Sequence, residues 1–277
     1  MKSRFTVKRK GKGTKEWSDK SYNICRGCEH GCLYCFAKSQ ACRFKSGARF
    51  RKPGEWQKQK LNPKRAGLGR EVNSVGVVMF PTSHDITPSF LPQSLATIKN
   101  LLLKNEVLIV SKPHLSVVKA LCKELADSKD KILLRFSIGS LKRKQCAFWE
   151  PGAPSPLERI AALRHAFERG FQTSVSIEPM LDDRVGICKL VAAVEPFASE
   201  SIWIGKMQRI PMKQNAHIQN FADEVEKIRS RQTDGEILQL VADMKGRGKI
   251  RWKDSIKAVI KEAKAGNKNS VATKSAG

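Results

Sequence analysis

Four cysteines stand within eleven positions near the N-terminus, in the stretch "SYNICRGCEHGCLYCFAKSQ". Cys25, Cys28, Cys32 and Cys35 form two C-x2-C pairs that are separated by three residues. Thiolates are ligands for zinc and for iron, so this spacing indicates a metal centre. The other four cysteines stand apart from one another and are expected to be small buried hydrophobic residues: Cys42, Cys122, Cys146 and Cys188.

Three kinds of site are compatible with these thiols. A structural zinc site usually draws its ligands from two knuckles a dozen or more residues apart, and the two pairs here are much closer. An electron carrier with four cysteine ligands fits the density of thiols but not the long chain behind them. In the third interpretation only Cys28, Cys32 and Cys35 bind a four-iron cluster, and one iron stays open for an exogenous ligand. An open coordination position distinguishes a reactive centre from a structural one.

Apolar runs and helical patterns alternate behind the cysteines. The runs VGVVMF, VLIV, ILLRFSIG, TSVSIEP and SIWIG predict buried strands, and a first strand is expected at Ser21–Ile24. Helical segments separate them, and Ser155 with Glu158 forms a capping box before a helix that stops at Gly170. This alternation predicts a parallel sheet with right-handed crossovers. Six such units are too few to close an eight-stranded barrel. The predicted fold is therefore α/β, a partial (β/α)6 parallel barrel with a C-terminal helical extension.

Composition divides the chain into segments. We expect a basic N-terminal segment at 1–17, the barrel at 18–210 with a basic insertion at 43–70, a helical extension at 211–265 and a disordered tail at 266–277. The extension is expected to cover the open edge of the barrel. The sequence contains no apolar run of membrane-spanning length and no recognisable signal peptide, so it predicts a cytoplasmic protein.

Polar and charged residues follow the predicted strands at their carboxyl ends, where parallel α/β barrels carry their chemistry. The cysteines follow the first strand, PTSHD the second, SKP the third, SIGS the fourth and EPMLDD the fifth. Ordinary capping explains Ser111, but it explains Lys112, Asp85 and Glu178 less well. The pattern therefore predicts a site at this edge of the sheet.

The segment GCEHGCLYCFA carries a C-x3-C-x-aromatic-C motif and resembles the radical S-adenosylmethionine (SAM) superfamily, with Tyr34 as the aromatic residue. The wider frame YNICRGCEHGCLYCFAKS resembles the spore photoproduct lyase-like branch, and the resemblance covers about residues 18–210. It implies that Cys28, Cys32 and Cys35 ligate a [4Fe–4S] cluster whose fourth iron binds SAM. An electron from a donor such as flavodoxin or ferredoxin would cleave SAM, and the 5′-deoxyadenosyl radical would abstract hydrogen from the substrate.

The resemblance also implies roles for residues at the strand ends. Tyr34 would pack near the adenine of SAM, and Thr82, Ser83 and Asp85 would hold its amino group and ribose. Lys112 resembles a lysine that pairs with the SAM carboxylate. Ser137 would contact the same end of SAM as Lys112. Glu178 would hold the ribose hydroxyls.

Two positions depart from the lyase branch. That branch is associated with a hydrogen-atom relay, made by a cysteine after the second strand and a tyrosine after the last cluster cysteine. The corresponding residues here are Pro81 and Phe36, and neither can donate a hydrogen atom in that way. The sequence therefore argues against photolesion reversal by this relay. Cys25 lies outside the motif and is not expected to be a ligand.

The charge of the chain is strongly positive. There are 52 Lys and Arg against 26 Asp and Glu, a formal net charge of +26, and positions 43–70 hold ten basic residues against one acid, Glu55. Such a surplus favours an anionic partner. Phe44, Phe50 and Trp56 lie among the cations and would offer stacking surfaces for unpaired bases. A nucleic acid is therefore expected to bind through Arg43, Lys45, Arg49, Arg51 and Lys52.

Together these features predict a radical SAM enzyme, lyase- or transferase-like, that acts on a nucleic acid in DNA repair or RNA modification. One alternative is a radical SAM enzyme for a peptide or small molecule, to which the basic stretches are unrelated. Another is a non-enzymatic zinc or iron–sulfur module that binds nucleic acid. Bound metal and SAM cleavage distinguish the three.

Overall fold

Seven short parallel strands form the sheet that organises the chain. The computed structural model describes residues 5, 13–43, 45–66, 76–208, 210 and 212–274. Its strands are β1 (Lys20–Ser21), β2 (Cys25–Arg26), β3 (Lys60–Leu61), β4 (Val77–Met79), β5 (Glu106–Ser111), β6 (Ile132–Ser137), β7 (Gln172–Ile177), β8 (Ser201–Ile204) and β9 (Ile250–Trp252). The sheet order is β1–β4–β5–β6–β7–β8–β9, and β2 with β3 forms a separate antiparallel pair.

Helices connect most of these strands. The described residues form α1 (Phe36–Ala41), α2 (Leu91–Leu102), α3 (Leu115–Glu124), α4 (Arg143–Trp149), α5 (Pro156–Glu168), α6 (Arg184–Val194), α7 (Met212–Asn215), α8 (Phe221–Arg231), α9 (Asp234–Asp243) and α10 (Asp254–Lys274). None of them combines the length and the apolar character that crossing a bilayer requires.

The two faces of the sheet bury different partners. Val78, Ile109 and Phe136 belong to the main core, which includes apolar residues of α2, α3, α5 and α6. The opposite face, called here the inner face, packs against Phe5 and Trp17 and carries Val77, Met79, Leu108 and Leu133. The outer strands β1 and β9 do not pair with each other among the described residues. The predicted α/β partial barrel is confirmed, with seven parallel strands rather than six.

The first and last strands of the sheet differ from the prediction. The strand expected at Ser21–Ile24 is β1, which ends at Ser21 because the chain leaves the sheet to pair Cys25 with Leu61. The extension, expected to be helical, contributes β9, and this strand pairs with β8. A three-residue strand that contains an arginine carries no strand pattern, so the sequence did not reveal it.

Local caps set both ends of α5, although half of the predicted capping box is replaced, since the Glu158 carboxylate accepts from the Leu115 amide at 3.0 Å. The Glu158 amide donates to Ser155 Oγ at 3.2 Å, and Gly170 adopts a positive φ of 77° after α5. Helix α10 extends to Lys274 and so includes most of 266–277, the segment predicted to be disordered. Parts of the predicted segments 1–17 and 43–70 lie outside the described residues. The segment boundaries stay predictions.

Candidate active site

The motif cysteines lie in a tight loop between β1 and α1. Two glycines with positive φ, Gly27 at 80° and Gly31 at 59°, let this loop turn sharply. Cys28 and Cys32 are buried, and the Cys28 amide donates to the carbonyl of Trp56 at 2.9 Å. Cys35 caps α1, since its Sγ accepts from the Lys38 amide at 3.4 Å. The three predicted ligands thus come from one loop at the carboxyl end of β1.

Burial makes these thiols poor acids in the protein alone. It raises the pKa of Cys28 well above its usual range and the pKa of Cys32 to about 12, and it also raises the pKa of Cys35. A positive metal centre reverses this effect, because bound thiols are deprotonated. Three soft donors on one loop, two of them buried and the third half-buried, therefore fit an iron–sulfur cluster. Cys25 packs instead in the main core, apart from the cluster of Cys28 with Cys42.

Asp85 connects the cysteine loop to the end of β5. Its Oδ1 accepts from Ser111 Oγ and from the Lys112 amide, both at 2.7 Å. Its Oδ2 lies 2.9 Å from His30 Nδ1 and 3.8 Å from Cys28 Sγ. Burial opposes the charge, but His30 and Lys112 hold the pKa of Asp85 well below its usual range. Asp85 was expected to contact SAM, but both of its carboxylate oxygens already have partners within the protein.

His30 is a site residue that the sequence did not reveal. It is fully buried, and the ligand atoms of Cys28, His30 and Asp85 lie within 4.8 Å of one another. Such a trio also suits a single metal ion. The sequence gives no indication of this role, because it does not show that the distant Asp85 faces His30.

The loop after β4 forms hydrogen bonds with the residues that lead into the cysteine loop. The Thr82 and Ser83 amides donate to Asn23 Oδ1 at 2.8 and 2.9 Å, and Asn23 Nδ2 donates to Thr82 Oγ1 at 2.7 Å. The amides of Ile24 and Cys25 both donate to His84 Nε2 at 3.2 Å. That pattern requires the neutral ring, and burial lowers the pKa of His84, which favours this form. Thr82 and Ser83 thus adjoin the cysteine loop, and their contacts to SAM stay a prediction.

Lys112 follows β5 and reaches towards the motif. Its Nζ lies 5.6 Å from the centre of the Tyr34 ring and has no hydrogen-bond partner among the described residues. Burial opposes its charge, but the negative field of Cys32 and Asp85 raises its pKa. A half-buried cation beside the cysteines is suited to bind an anionic group.

A buried ion pair holds Tyr34 in place. The Tyr34 hydroxyl donates to Glu150 Oε1, and Glu150 Oε2 pairs with Arg159 Nη2 at 2.5 Å. Arg159 also donates to the carbonyls of Pro154, at 2.8 Å, and Ser137, at 3.1 Å. This network joins the cysteine motif to the end of β6. The sequence did not indicate this network, because Tyr34 and Glu150 are 116 residues apart.

Replacing Arg159 tests how much this pair stabilises the protein. Both side chains of the pair are 1% exposed. Arg159→Leu is therefore expected to lower the free energy of unfolding by about 3–5 kcal/mol, since it leaves a buried carboxylate without its partner. Arg164→Leu on the same helix removes an exposed pair with Glu168 and is expected to cost less than about 1 kcal/mol. Denaturant titration measures both, and equal losses would contradict the assignment.

Ser137 and Glu178 lie on the inner face with Lys112. The sheet register pairs Val110 with Arg135 and Ser137 with Ser176, so side chains two residues apart along β5, β6 and β7 share this face. Glu178 is partly covered, and its Oε2 lies 3.7 Å from Lys253 Nζ. Burial raises the pKa of Glu178, whereas Lys253 lowers it. The predicted rim residues therefore follow four neighbouring strands at the same edge.

The basic insertion covers the outer side of the cysteine loop. Phe50 and Trp56 are only 8% and 3% exposed and pack with Cys28 and Cys42, so they do not offer the stacking surfaces that we predicted. Phe44 lies outside the described residues, as does the side chain of Lys45. The exposed cations in the described part of this segment are Arg43, Arg49, Arg51, Lys52, Lys58, Lys60, Lys64 and Arg65. The described part of the insertion therefore exposes charged side chains to solvent but no aromatic ring.

A viral protein is similar in sequence to this chain. No family model matches the chain. The uncharacterized protein ORF301 of Acidianus two-tailed virus is 28% identical over 192 residues, which cover 64% of this chain and 62% of the relative. The match thus spans less than two thirds of the relative's length.

Solved structures share the fold. SuiB from Streptococcus suis bound to SAM has 11% identity and a TM-score of 0.55, and covers 84% of this chain and 49% of its own. SuiB bound to the precursor peptide SuiA has 12% identity and a TM-score of 0.53, with 88% and 51% covered. A cysteine-to-serine variant of spore photoproduct lyase has 16% identity and a TM-score of 0.52, with 78% and 64% covered.

These neighbours establish the fold of the chain. It is the radical SAM fold that the cysteine motif predicts, with a spore photoproduct lyase among its structural neighbours. The expected cofactors, a [4Fe–4S] cluster and SAM, agree with this fold, since one neighbour was solved with SAM. The roles of individual side chains are proposals.

Proposed function

We propose that the chain is a radical SAM enzyme in which Cys28, Cys32 and Cys35 hold a [4Fe–4S] cluster. When bound, the cluster and SAM supply reductive cleavage of SAM and abstraction of hydrogen from a substrate. The observation that carries the proposal is the position of three mostly buried thiols beside the cation Lys112, at the carboxyl edge of a parallel sheet.

The chain's own residues bind and orient SAM in this proposal. Lys112 pairs with the carboxylate of SAM, and the Tyr34 ring packs against its adenine. Hydroxyl groups at the rim and one carboxylate contact the amino group and ribose: Thr82, Ser83, Ser137 and Glu178. Asp85 acts through the Lys112 backbone and the cysteine loop, because its oxygens already have partners.

The proposal is tested by product analysis. Anaerobically reconstituted protein, supplied with dithionite and SAM, is expected to release 5′-deoxyadenosine and methionine. The protein without added iron and sulfide is the control. A protein that carries a full cluster and releases neither product would be an inert cluster protein, which favours the binding-module alternative.

We propose a nucleic acid as the substrate, in DNA repair or RNA modification. The net charge of +26 and the exposed cations beside the cysteine loop support this choice. The precursor peptide bound to SuiB supports the alternative, a peptide substrate. Since Phe50 and Trp56 are buried, we expect the insertion to contribute phosphate contacts rather than base stacking.

Salt dependence separates the two substrates. Each phosphate contact contributes about −0.7 to −0.9 to the slope of log K against log salt concentration. Replacing the exposed pair Arg49 and Lys52 with glutamine is therefore expected to make that slope shallower by about 1.5. Lys123 and Lys129, exposed near the far end of α3, provide the matched control. Nucleic-acid binding that does not change with salt, or with the Arg49 and Lys52 replacements, would favour the peptide alternative.

A further inference from the structure

Lys253 reaches the inner face from the C-terminal extension. It directly follows β9, and its side chain is 6% exposed. Its Nζ lies 2.7 Å from Glu16 Oε2, 3.7 Å from Glu178 Oε2 and 4.0 Å from the centre of the Trp17 ring. A buried lysine with two carboxylates and an aromatic face is held in one place.

Contacts from the opposite edge of the sheet hold this lysine. Glu16 precedes β1, whereas Lys253 follows β9, so their ion pair joins the two outer strands of the open barrel. Glu16 is also paired with Lys257 of α10 at 2.9 Å. The N-terminal segment therefore fixes the lysine that faces Glu178.

Gly205, which follows β8, leaves room for the pair. A Cβ at this glycine would lie 3.0 Å from Lys253 Cβ and 3.1 Å from Glu178 Cγ. Any larger residue would push the two side chains apart. The close approach of Lys253 to Glu178 thus depends on the residues that follow β7, β8 and β9 and on the N-terminal segment.

We propose that Lys253, held in place by its ion pair with Glu16, is a positioning residue that orients the Glu178 carboxylate towards SAM. This role rests on the proposed function, in which Glu178 contacts the ribose of SAM. A carboxylate accepts hydrogen bonds from hydroxyl groups, and protonation reduces that capacity. The segments at both ends of the barrel would thereby support cofactor binding.

The charges around Glu178 give the expected direction of the change in its pKa. Lys253 and Asp254 face it from the start of α10, Glu16 from the N-terminal segment and Arg135 from β6. Burial is the largest influence and raises the pKa of Glu178, Glu16 and Asp254 raise it further, and Lys253 lowers it. Loss of Lys253 should therefore let Glu178 take up a proton at higher pH, while loss of Glu16 should have the opposite effect.

Two lysines on one carboxylate provide a matched comparison. Lys253→Met removes the contact to Glu178, whereas Lys257→Met removes the second partner of Glu16 and a 3.3 Å exposed contact to Asp254 and leaves Lys253 in place. The first measurement is the Glu178 pKa, from ¹³C NMR of glutamate-labelled protein without cofactors. The second is the SAM dissociation constant of reconstituted protein between pH 6 and 8. Lys253→Arg tests rescue by charge, Lys253→Gln serves if Lys253→Met does not fold, and Glu16→Gln measures the effect of the Glu16 charge separately.

The expected results differ for the two lysines. In Lys253→Met the Glu178 pKa rises by about one unit or more. The loss of SAM affinity is largest at the acidic end of the pH range, up to roughly tenfold for a shift of one unit, and it shrinks as the pH rises. Lys257→Met and Lys253→Arg stay near wild type, and Glu16→Gln lowers the Glu178 pKa. An unchanged pKa in Lys253→Met, or equal losses in both methionine variants, would overturn the proposal. Wild-type protein that binds no SAM would refute the proposed function, and the Glu178 titration would still decide the role of Lys253.

Discussion

Cys32→Ala is expected to abolish assembly of the iron–sulfur cluster. Cys32 is the central cysteine of the motif, and its thiol is buried beside Lys112. Changes to residues that only support metal ligands already cost about 10–100-fold in metal affinity. Loss of a ligand should cost more, so at least a tenfold loss of bound iron is expected after anaerobic reconstitution. Iron and sulfide analysis, with the visible absorption of the protein, measures this directly.

Cys25→Ala provides the matched control for that loss. Cys25 is three residues from Cys28 and also buried, but it packs in the main core rather than with the motif. The variant is expected to keep its iron. Equal iron loss in Cys25→Ala would mean that all four cysteines are ligands, which removes the open iron from the account.

Lys112→Met is expected to weaken SAM binding by roughly 10- to 100-fold, as is typical when one hydrogen bond to a charged group is lost. The Nζ of Lys112 lies near Tyr34, and the negative field of Cys32 and Asp85 raises its pKa. The lysine is therefore charged at neutral pH and available to an anionic group. Methionine keeps most of the length of the side chain and removes the charged ammonium group with its hydrogen-bond donors.

Two checks make this second result specific. The cluster content of Lys112→Met must match that of wild type, because the amide of Lys112, which donates to Asp85, is retained. Lys119→Met, at an exposed position on α3, should bind SAM as the wild type does. Equilibrium dialysis with labelled SAM measures the affinity. Wild-type affinity in Lys112→Met, with a full cluster, would contradict the assigned role of this lysine.

Short-range patterns predicted the parts of the molecule that depend on neighbouring residues. The β-branched runs that became β4 to β8, the cap at Ser155 and the turn at Gly170 are local features. The polar segments at the strand ends were also predicted, since parallel strands bring their carboxyl ends to one edge. The cysteine spacing indicated the fold, which the structural neighbours confirm.

Contacts between distant segments could not be predicted in this way. His30 meets Asp85, Tyr34 meets Glu150, and Glu16 meets Lys253 across separations of 55, 116 and 237 residues. No periodicity or cap motif records such pairs. They form because buried charges must find partners in the folded chain.

Burial of aromatic residues is the other property that the sequence concealed. Phe50 and Trp56 lie among lysines and arginines, a composition typical of a nucleic-acid surface. In the fold they cover the cysteine loop, and the Trp56 carbonyl accepts from the Cys28 amide. The basic insertion therefore supports the metal loop as well as presenting charge.

The electron paramagnetic resonance spectrum of the reduced, anaerobically reconstituted protein, recorded with and without SAM, tests the central claim most directly. The account predicts about four iron atoms per chain and the signal of a reduced [4Fe–4S] cluster. Because three cysteine ligands would leave one iron without a protein ligand, SAM is expected to change the g values of that signal. A protein without iron, or a cluster spectrum that SAM leaves unchanged, would contradict the account.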